Sequence, residues 1–303
     1  MKESELIVDL LTEILGNPHN HYYNKGQISF DCPVCADIKG LDRGDGKGNL
    51  EVNYLKGVYK CWSCAETHST HGYLNKLFWK WGNKKQRQTW KLISPEEFKP
   101  KSKTYDKITL PEDYISFEKG SKLTIPYKEA INYLLKRNIT HEMVIKHSMG
   151  YTTQGEYRGR IIIPSFDEND KINYFVARSY INHKMKYKNP EYPKEEIIFN
   201  ESKIDWKKDI YLVEGVFDML FLENSIPILG KTLSDKLWES LYDKCKANVI
   251  ICLDGDAWED AQKLYRKLDG GKLNHKVRVI KMPKDKDVAE LNGVKGLEEV
   301  TLL

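Results

Sequence analysis

Two short acidic segments, each at the end of an apolar run, constrain this chain more than any other feature of its sequence. Val213-Glu214-Gly215-Val216-Phe217-Asp218 ends one run, and Cys252-Leu253-Asp254-Gly255-Asp256 ends another. Apolar runs of this length are typical of buried strands. Carboxylates at the carboxyl ends of parallel strands face the crevice where α/β sheets bind ligands. Glu214, Asp254 and Asp256 could therefore hold a divalent metal ion, and the alternative is that they are ordinary acidic helix caps.

Four of the six cysteines form two Cys-x-x-Cys pairs in the first part of the chain. Cys32 and Cys35 make one pair, and Cys61 and Cys64 make the other. Two such pairs predict four thiolates around one tetrahedral structural Zn²⁺. The Gly-rich polar segment 39–49 cannot bury much of a core, so a metal would have to stabilise this region. A redox pair or buried free thiols are the alternatives.

The composition limits the possible cellular settings and partners. The chain has 303 residues, enough for two or three domains, and a net charge of only +4. That charge is too small to indicate a nucleic-acid partner by itself. The N-terminus is acidic and no apolar run approaches the roughly 20 residues that span a bilayer. We therefore expect an intracellular protein that does not enter the membrane.

Two basic segments carry local positive charge with aromatic residues among them. Residues 76–107 contain Trp79, Trp81 and Trp90 among many lysines, and residues 171–190 contain three tyrosines and no acidic residue. Such segments could follow phosphates and stack on bases. The alternatives are a core helix followed by a solvated linker for the first segment and a solvated hairpin edge for the second.

Past residue 209 the pattern alternates between strand and helix. It predicts strands at 210–213, 227–229, 249–253 and 277–280, with helices beginning near 217 and spanning 234–241 and 258–268. This alternation implies a mostly parallel sheet covered on both faces. Gly230-Lys231-Thr232 is not a P-loop, because position 225, where the earlier glycine would stand, is Ser.

In this order, these motifs resemble the DnaG-type DNA primases of bacteria and bacteriophages. That family's zinc segment is similar to residues 58–64, and the entry to its catalytic core is similar to residues 133–151. Its basic motifs are similar to Gly159-Arg160, Ala177-Arg178 and residues 186–190. The two acidic segments resemble its TOPRIM signature. The resemblance implies a multidomain α+β and α/β fold, in which a small zinc-ribbon-like module precedes a primase core with an α/β TOPRIM subdomain. We expect a zinc module at 1–93, a linker at 94–110, a basic subdomain at 111–207 and the TOPRIM subdomain at 208–303.

The resemblance also implies a function, which is synthesis of short RNA primers on single-stranded DNA by metal-dependent nucleotidyl transfer. The catalytic residues would be Glu214, Asp254 and Asp256, which would bind Mg²⁺ or Mn²⁺, together with Asp218 and Asp287. Arg160, Arg178, Lys186 and Lys231 would contact template or nucleotide phosphates. The implied partners are the single-stranded DNA template, NTPs, the RNA primer product and a replicative helicase acting in trans. The implied location is the cytoplasm of a bacterial host, and the four-Cys site favours a phage-encoded enzyme.

The sequence departs from the family's usual pattern at three places. All four zinc ligands are Cys, Ala257-Trp258 stands where Ala-Gly often follows the Asp-x-Asp, and Lys231 stands where Thr is more common. Two other functions stay open. A TOPRIM nuclease would use the same acids to cut phosphodiesters and would need no NTPs. A zinc-containing accessory protein would bind single-stranded DNA without catalysis.

Overall fold

The computed structural model describes residues 3–39, 41, 46–64, 72–95, 98, 107–120, 122–230, 232–269, 273 and 275–300. The chain divides into two compact units. The N-terminal unit is Met1–Lys103 with Leu241–Asp243 and Arg266–His275, and the C-terminal unit is Thr104–Ser240 with Lys244–Tyr265 and Lys276–Leu303. The finer division at residues 93, 110 and 207 stays a prediction. No helix within the described ranges is both long enough and apolar enough to cross a membrane.

The N-terminal unit contains an antiparallel sheet whose five strands follow chain order. The strands are β1 (Asn20–Tyr22), β2 (Gln27–Phe30), β3 (Leu50–Asn53), β4 (Val58–Cys61) and β5 (Gly72–Tyr73). The helices are α1 (Glu3–Leu15), α2 (Pro33–Ile38), α3 (Leu74–Trp81) and α4 (Lys84–Ile93). Residues 5–15 are apolar at the spacing of an amphipathic helix and form α1, and the alternating segments 50–54 and 58–60 form β3 and β4, as these patterns predict. The sequence does not predict β1, β2 or α4.

Helix α4 begins at Asn83, whose side chain accepts a hydrogen bond from the Gln86 backbone while Gln86 Oε1 accepts one from the Asn83 backbone. This reciprocal cap satisfies two backbone donors that the first turn would otherwise leave free. Trp90 is buried and stacks on Phe78 with 4.1 Å between ring centroids. Trp79 is buried as well. The suggestion that these two indoles stack on bases is therefore wrong, because both rings are buried within the protein.

The C-terminal unit begins with a four-stranded antiparallel sheet and two helices. The strands are β6 (Ile115–Ser116), β7 (Gly150–Tyr151), β8 (Arg160–Phe166) and β9 (Ile172–Ser179), in that order. Between β6 and β7 lie α5 (Ile125–Leu135) and α6 (His141–Lys146). Thr124 and Thr140 cap the starts of these helices, each accepting a hydrogen bond from the backbone N–H three residues later. The sequence pattern predicts a helix at 128–136, a turn, a capped second helix and strands at 160–164 and 172–178, and the structure confirms these elements.

The last sheet is mostly parallel, in the order β11-β10-β12-β13-β14. Its strands are β10 (Ile210–Val213), β11 (Ser225–Pro227), β12 (Val249–Cys252), β13 (Val277–Ile280) and β14 (Glu299–Val300). Its helices are α7 (Val216–Met219), α8 (Asp235–Lys244) and α9 (Trp258–Leu268).

Three details of this sheet differ from the sequence prediction. Strand β11 ends at Pro227, before the residues 228–229 assigned to it, because the backbone of Leu229 is in the left-handed region at φ 55°. Helix α7 is one turn long. Strand β14 is antiparallel to its neighbour and was not predicted, since two residues carry no periodicity.

Candidate functional site

Strand order brings the two acidic segments to one edge of the parallel sheet. Strands β10 and β12 are neighbours, and Val213 pairs with Cys252 at their carboxyl ends. Glu214 is the first residue after β10 and Asp254 the second after β12, so both lie at the edge where open α/β sheets bind ligands. We call Glu214, Asp218, Asp254, Asp256 and Asp287 the acidic edge.

Asp254 has the most unusual environment in the acidic edge. Its Oδ1 atom is buried and finds no hydrogen-bond partner among the described residues. Burial, followed in order by the negative charges of Glu214, Asp218, Asp287 and Asp256, raises the pKa of Asp254 to about 7. A carboxylate held among like charges with an unpaired oxygen is stabilised by a cation. The residues present therefore fit a divalent metal ion.

Gly255 fixes the loop that carries Asp287 against the end of β12. A Cβ atom at Gly255 would lie 1.9 Å from the Pro283 carbonyl oxygen, a separation no side chain tolerates. The Gly255 backbone N–H also donates to the Lys286 carbonyl at 2.8 Å. Glycine between the two aspartates is therefore a packing requirement, and it brings Asp287 to the acidic edge.

Asp218 uses its carboxylate to hold backbone in place. It is buried, and its two oxygens accept hydrogen bonds from the Gly215 N–H at 3.1 Å and the Ala289 N–H at 3.2 Å. Burial, followed by the charge of Asp287, raises the pKa of Asp218 to about 6. Asp218 thus ties the start of α7 to the segment after Asp287, which is a positioning role.

The acidic edge is looser than a compact metal cage. Within the part of the chain that is described, the four cysteines are the only group of three or more potential metal ligands whose ligand atoms lie within 4.8 Å of one another. Asp256 is exposed, while Glu214 and Asp287 are half-buried. Mg²⁺ commonly keeps several waters and contacts one or two carboxylates directly, so a looser arrangement suits it better than Zn²⁺.

The four predicted zinc ligands do come together. Strand β4 carries Cys61, while Cys32 and Cys35 lie at the start of α2 and within it. The Sγ atoms of Cys32 and Cys64 are 3.6 Å apart, and those of Cys35 and Cys61 are 3.7 Å apart. Tetrahedral Zn–S bonds of about 2.3 Å place sulfurs about 3.8 Å apart, so the cluster fits one Zn²⁺. His68 and His71, interpreted from the sequence as surface residues, lie outside the described residues.

Arg160, expected at the phosphates, is buried and bonded to backbone. Its Nη2 atom donates to the Met185 carbonyl at 2.9 Å, and its Nη1 atom donates to the Lys186 carbonyl at 3.2 Å. Burial lowers the pKa of this guanidinium. Because these donors face carbonyls, Arg160 is arranged to hold the 185–186 loop in place.

Arg178 is the centre of a group of stacked cations and rings, which we call the Arg178 cluster: Tyr133, Arg137, Arg178, Tyr187 and Phe217. The Arg178 Nε atom donates to the Tyr133 hydroxyl at 2.8 Å, and its guanidinium lies 4.6 Å from the Tyr187 ring centroid. Arg137 is exposed and lies 4.9 Å from the Tyr133 ring centroid. Both arginines also face the Phe217 ring, at 5.8 and 5.9 Å. Phe217 belongs to α7, so the cluster adjoins the helix that follows Glu214.

Sequence reasoning missed Arg137 and one surface pair of the N-terminal unit. Tyr133 and Arg137 are four residues apart near the end of α5, a spacing that could have identified the pair. Trp62, between the last two cysteines, is 62% exposed, and the Lys60 ammonium lies 4.3 Å from its ring centroid. Lys186 is exposed as predicted for a phosphate contact, whereas Lys231 lies outside the described residues.

The comparisons with known proteins agree with this arrangement. The Toprim-like family matches residues 211–292, which include the whole acidic edge. The DNA primase of Thermotoga maritima is 31% identical over 192 residues, 56% of this chain and 33% of that protein. The DNA primase of Enterobacteria phage T4 is 26% identical over 226 residues, 68% of this chain and 65% of that protein. The match thus spans between one third and two thirds of these relatives.

A solved structure described as the DnaG primase catalytic domain bound to ssDNA shares the fold. It aligns with a TM-score of 0.50 at 20% identity, covering 58% of this chain and 70% of that one. Together with the primase relatives, this confirms the resemblance to DnaG-type bacterial and phage primases. The expected fold class, a small zinc-ribbon-like module followed by a core with an α/β TOPRIM segment, is confirmed too.

Proposed function

We propose that this protein is a DNA primase, which synthesises short RNA primers on single-stranded DNA by metal-dependent nucleotidyl transfer. The observation that carries the proposal is the acidic edge, where Asp254 has an unpaired buried oxygen among four other carboxylates. The likeness to bacterial and phage primases supports the reaction class.

Glu214, Asp254 and Asp256 would hold Mg²⁺ or Mn²⁺ at the ends of β10 and β12. Such an ion, when bound, neutralises triphosphate charge and lowers the pKa of an attacking 3′-hydroxyl. Asp254 enters that site without losing an existing hydrogen bond of its Oδ1, because none is made in the described structure. Asp218 would hold the start of α7 in place by accepting hydrogen bonds from the Gly215 and Ala289 backbone N–H groups. Asp287 would add negative charge beside it.

The basic residues would divide between direct contact and support. Arg178, Lys186 and Arg137 have exposed or half-exposed cationic groups that can bind the phosphates of template or nucleotide. We assign Lys231 the same role from the resemblance alone. Arg160 would hold the loop that presents Lys186.

The zinc module would contact the template. Cys32, Cys35, Cys61 and Cys64 would bind one structural Zn²⁺, which fixes the β4 end that carries Trp62 and Lys60. An exposed indole beside an ammonium suits a base stacked next to its phosphate. A replicative helicase acting in trans is proposed from the resemblance alone.

Incorporation of labelled NTPs on single-stranded DNA, with and without Mg²⁺, tests the proposed reaction. We expect short RNA products that require template, NTPs and metal together. Degradation of the DNA in the absence of NTPs would replace the proposal with a TOPRIM nuclease. DNA binding with neither synthesis nor cleavage would indicate a non-catalytic accessory protein.

A further inference from the structure

A cavity of about 250 Å³ lies in the C-terminal unit, apart from the residues of the acidic edge. It is bounded by the end of α6, the 3-10 turn Glu201–Lys203 and the segment from Met219 of α7 to Ser225 of β11. None of the carboxylates or cluster residues discussed above lines it. A ligand bound in this cavity would therefore not contact the proposed catalytic residues.

Two buried polar side chains line the cavity with atoms that lack partners. His147 is 8% exposed and Asn200 is 2% exposed. The Nδ1 atom of His147 and the Oδ1 atom of Asn200 make no hydrogen bond within the described part of the chain. Leaving such a group unpaired costs about 1–3 kcal/mol. A ligand or ordered water that bonds to both is therefore favoured at this position.

Positive charge surrounds these two atoms. Lys146 and Lys203 also line the cavity, and both are exposed at its edge. Burial, followed by the charges of Lys203 and Lys146, lowers the pKa of His147 to about 4. Burial and Lys146 likewise lower the pKa of Lys203, against a smaller opposing effect of Asp170. Glu223 is an exposed carboxylate in the lining. The mutual repulsion of the basic groups favours an anion between them.

We propose that this cavity binds a small oxyanion that retains a hydroxyl group, of the hydrogen phosphate class. Its charged oxygens would accept hydrogen bonds from Lys146 and Lys203, and from His147 in its Nδ1–H tautomer. Its hydroxyl would donate to Asn200 Oδ1, the remaining unpaired acceptor. A water occupies about 30 Å³ in the liquid, so the cavity has room for a tetrahedral oxyanion and several waters. Because Met219 of α7 lines the cavity, the occupant would also support the helix that Asp218 caps.

Histidine side-chain ¹⁵N NMR on the full zinc-loaded chain tests this proposal, with sodium phosphate titrated at constant ionic strength and no added Mg²⁺. The His147 resonance is identified by its loss in His147→Gln. We expect a saturable shift of that resonance with phosphate and a dissociation constant at least about tenfold weaker in Lys203→Gln. Lys207→Gln removes an exposed lysine that does not line the cavity, so its dissociation constant should match the wild type.

Sulfate is the matched probe, since it has the same shape but no hydroxyl near neutral pH. We expect it to bind more weakly than phosphate in the wild type and equally to phosphate in Asn200→Ala. Folding of each variant is checked by the rest of its spectrum. The absence of any His147 shift would show that water alone fills the cavity and overturn the proposal. An equal affinity in Lys203→Gln would show that phosphate acts without Lys203 and would overturn the proposed site as well. Equal binding of sulfate and phosphate by the wild type would overturn the assigned role of the hydroxyl.

Discussion

Replacing Asp254 with Asn should stabilise the metal-free protein at alkaline pH, because it removes a carboxylate that the fold keeps among like charges. The pKa of Asp254 is raised to about 7 from 3.8. At about 1.36 kcal/mol per pKa unit, an isolated group with this shift would cost roughly 4 kcal/mol when ionised. Asp254 is only partly buried and interacts with other titrating acids, so solvent screening reduces the expected gain to about 1–2 kcal/mol.

The gain should depend on pH in a defined direction. Between about pH 4 and pH 7 the folded protein keeps a proton on Asp254 that the unfolded chain has lost, so wild-type stability falls as the pH rises through this window. The Asp254→Asn variant has no carboxyl group to ionise at this position, so its free energy of unfolding should not decrease for this reason. Its advantage over the wild type should therefore be small at pH 4.5 and complete at pH 8.

Urea unfolding without divalent metal, at pH 4.5 and pH 8, measures this difference. Asp260→Asn is the matched control, because Asp260 pairs only with Lys263 on the exposed face of α9 among its described contacts, and it should change the free energy of unfolding by less than about 0.5 kcal/mol. A variant no more stable than wild type at pH 8, or one with the same gain at both pH values, would refute the electrostatic reasoning.

Four further substitutions test other parts of the account. Gly255→Ala should lower the free energy of unfolding by at least about 2 kcal/mol, because its Cβ would overlap the Pro283 carbonyl; urea unfolding measures this, and an unchanged midpoint would contradict it. Arg160→Gln should lower it by about 2–3 kcal/mol, because it removes the charged hydrogen bonds to the Met185 and Lys186 carbonyls and leaves the Lys186 carbonyl only its bond from the Ser179 N–H. Lys186→Gln should instead leave stability within about 0.5 kcal/mol and weaken nucleotide incorporation. A loss of stability in Lys186→Gln, with Arg160→Gln weakening only nucleotide incorporation, would exchange the roles assigned to these two residues. Cys61→Ser should release zinc, measured by atomic spectroscopy, and impair initiation more than extension of a supplied primer; retained zinc would exclude Cys61 as a ligand.

The parts of the fold that the sequence predicted are those with a strong local signal. The parallel strands appear as apolar runs, Thr140 marks the start of α6, and paired Cys-x-x-Cys spacing predicts the sulfur cluster. Glu214, Asp254 and Asp256 were predicted to lie together because strand ends of a parallel sheet meet at one edge, whereas Asp218 and Asp287 were added from the family resemblance.

What the sequence could not predict depends on contacts distant along the chain. The Arg160 motif looked like a phosphate contact, yet its donors are taken by carbonyls about 25 residues away, and no spacing encodes that. The Arg178 cluster joins α5, β9, a loop and α7, so its members have no common period. Helix α4 was missed because its basic composition resembles that of a linker, and only the packing of Trp90 on Phe78 distinguishes the two.

Primer synthesis by Asp254→Asn and Asp260→Asn, side by side in the NTP-incorporation assay with Mg²⁺, tests the central claim most directly. We expect Asp254→Asn to lose at least about a hundredfold in rate, the loss typical of removing one group that stabilises transition-state charge, while Asp260→Asn keeps the wild-type rate. Primer synthesis at the wild-type rate by Asp254→Asn would show that the acidic edge does not bind the catalytic metal.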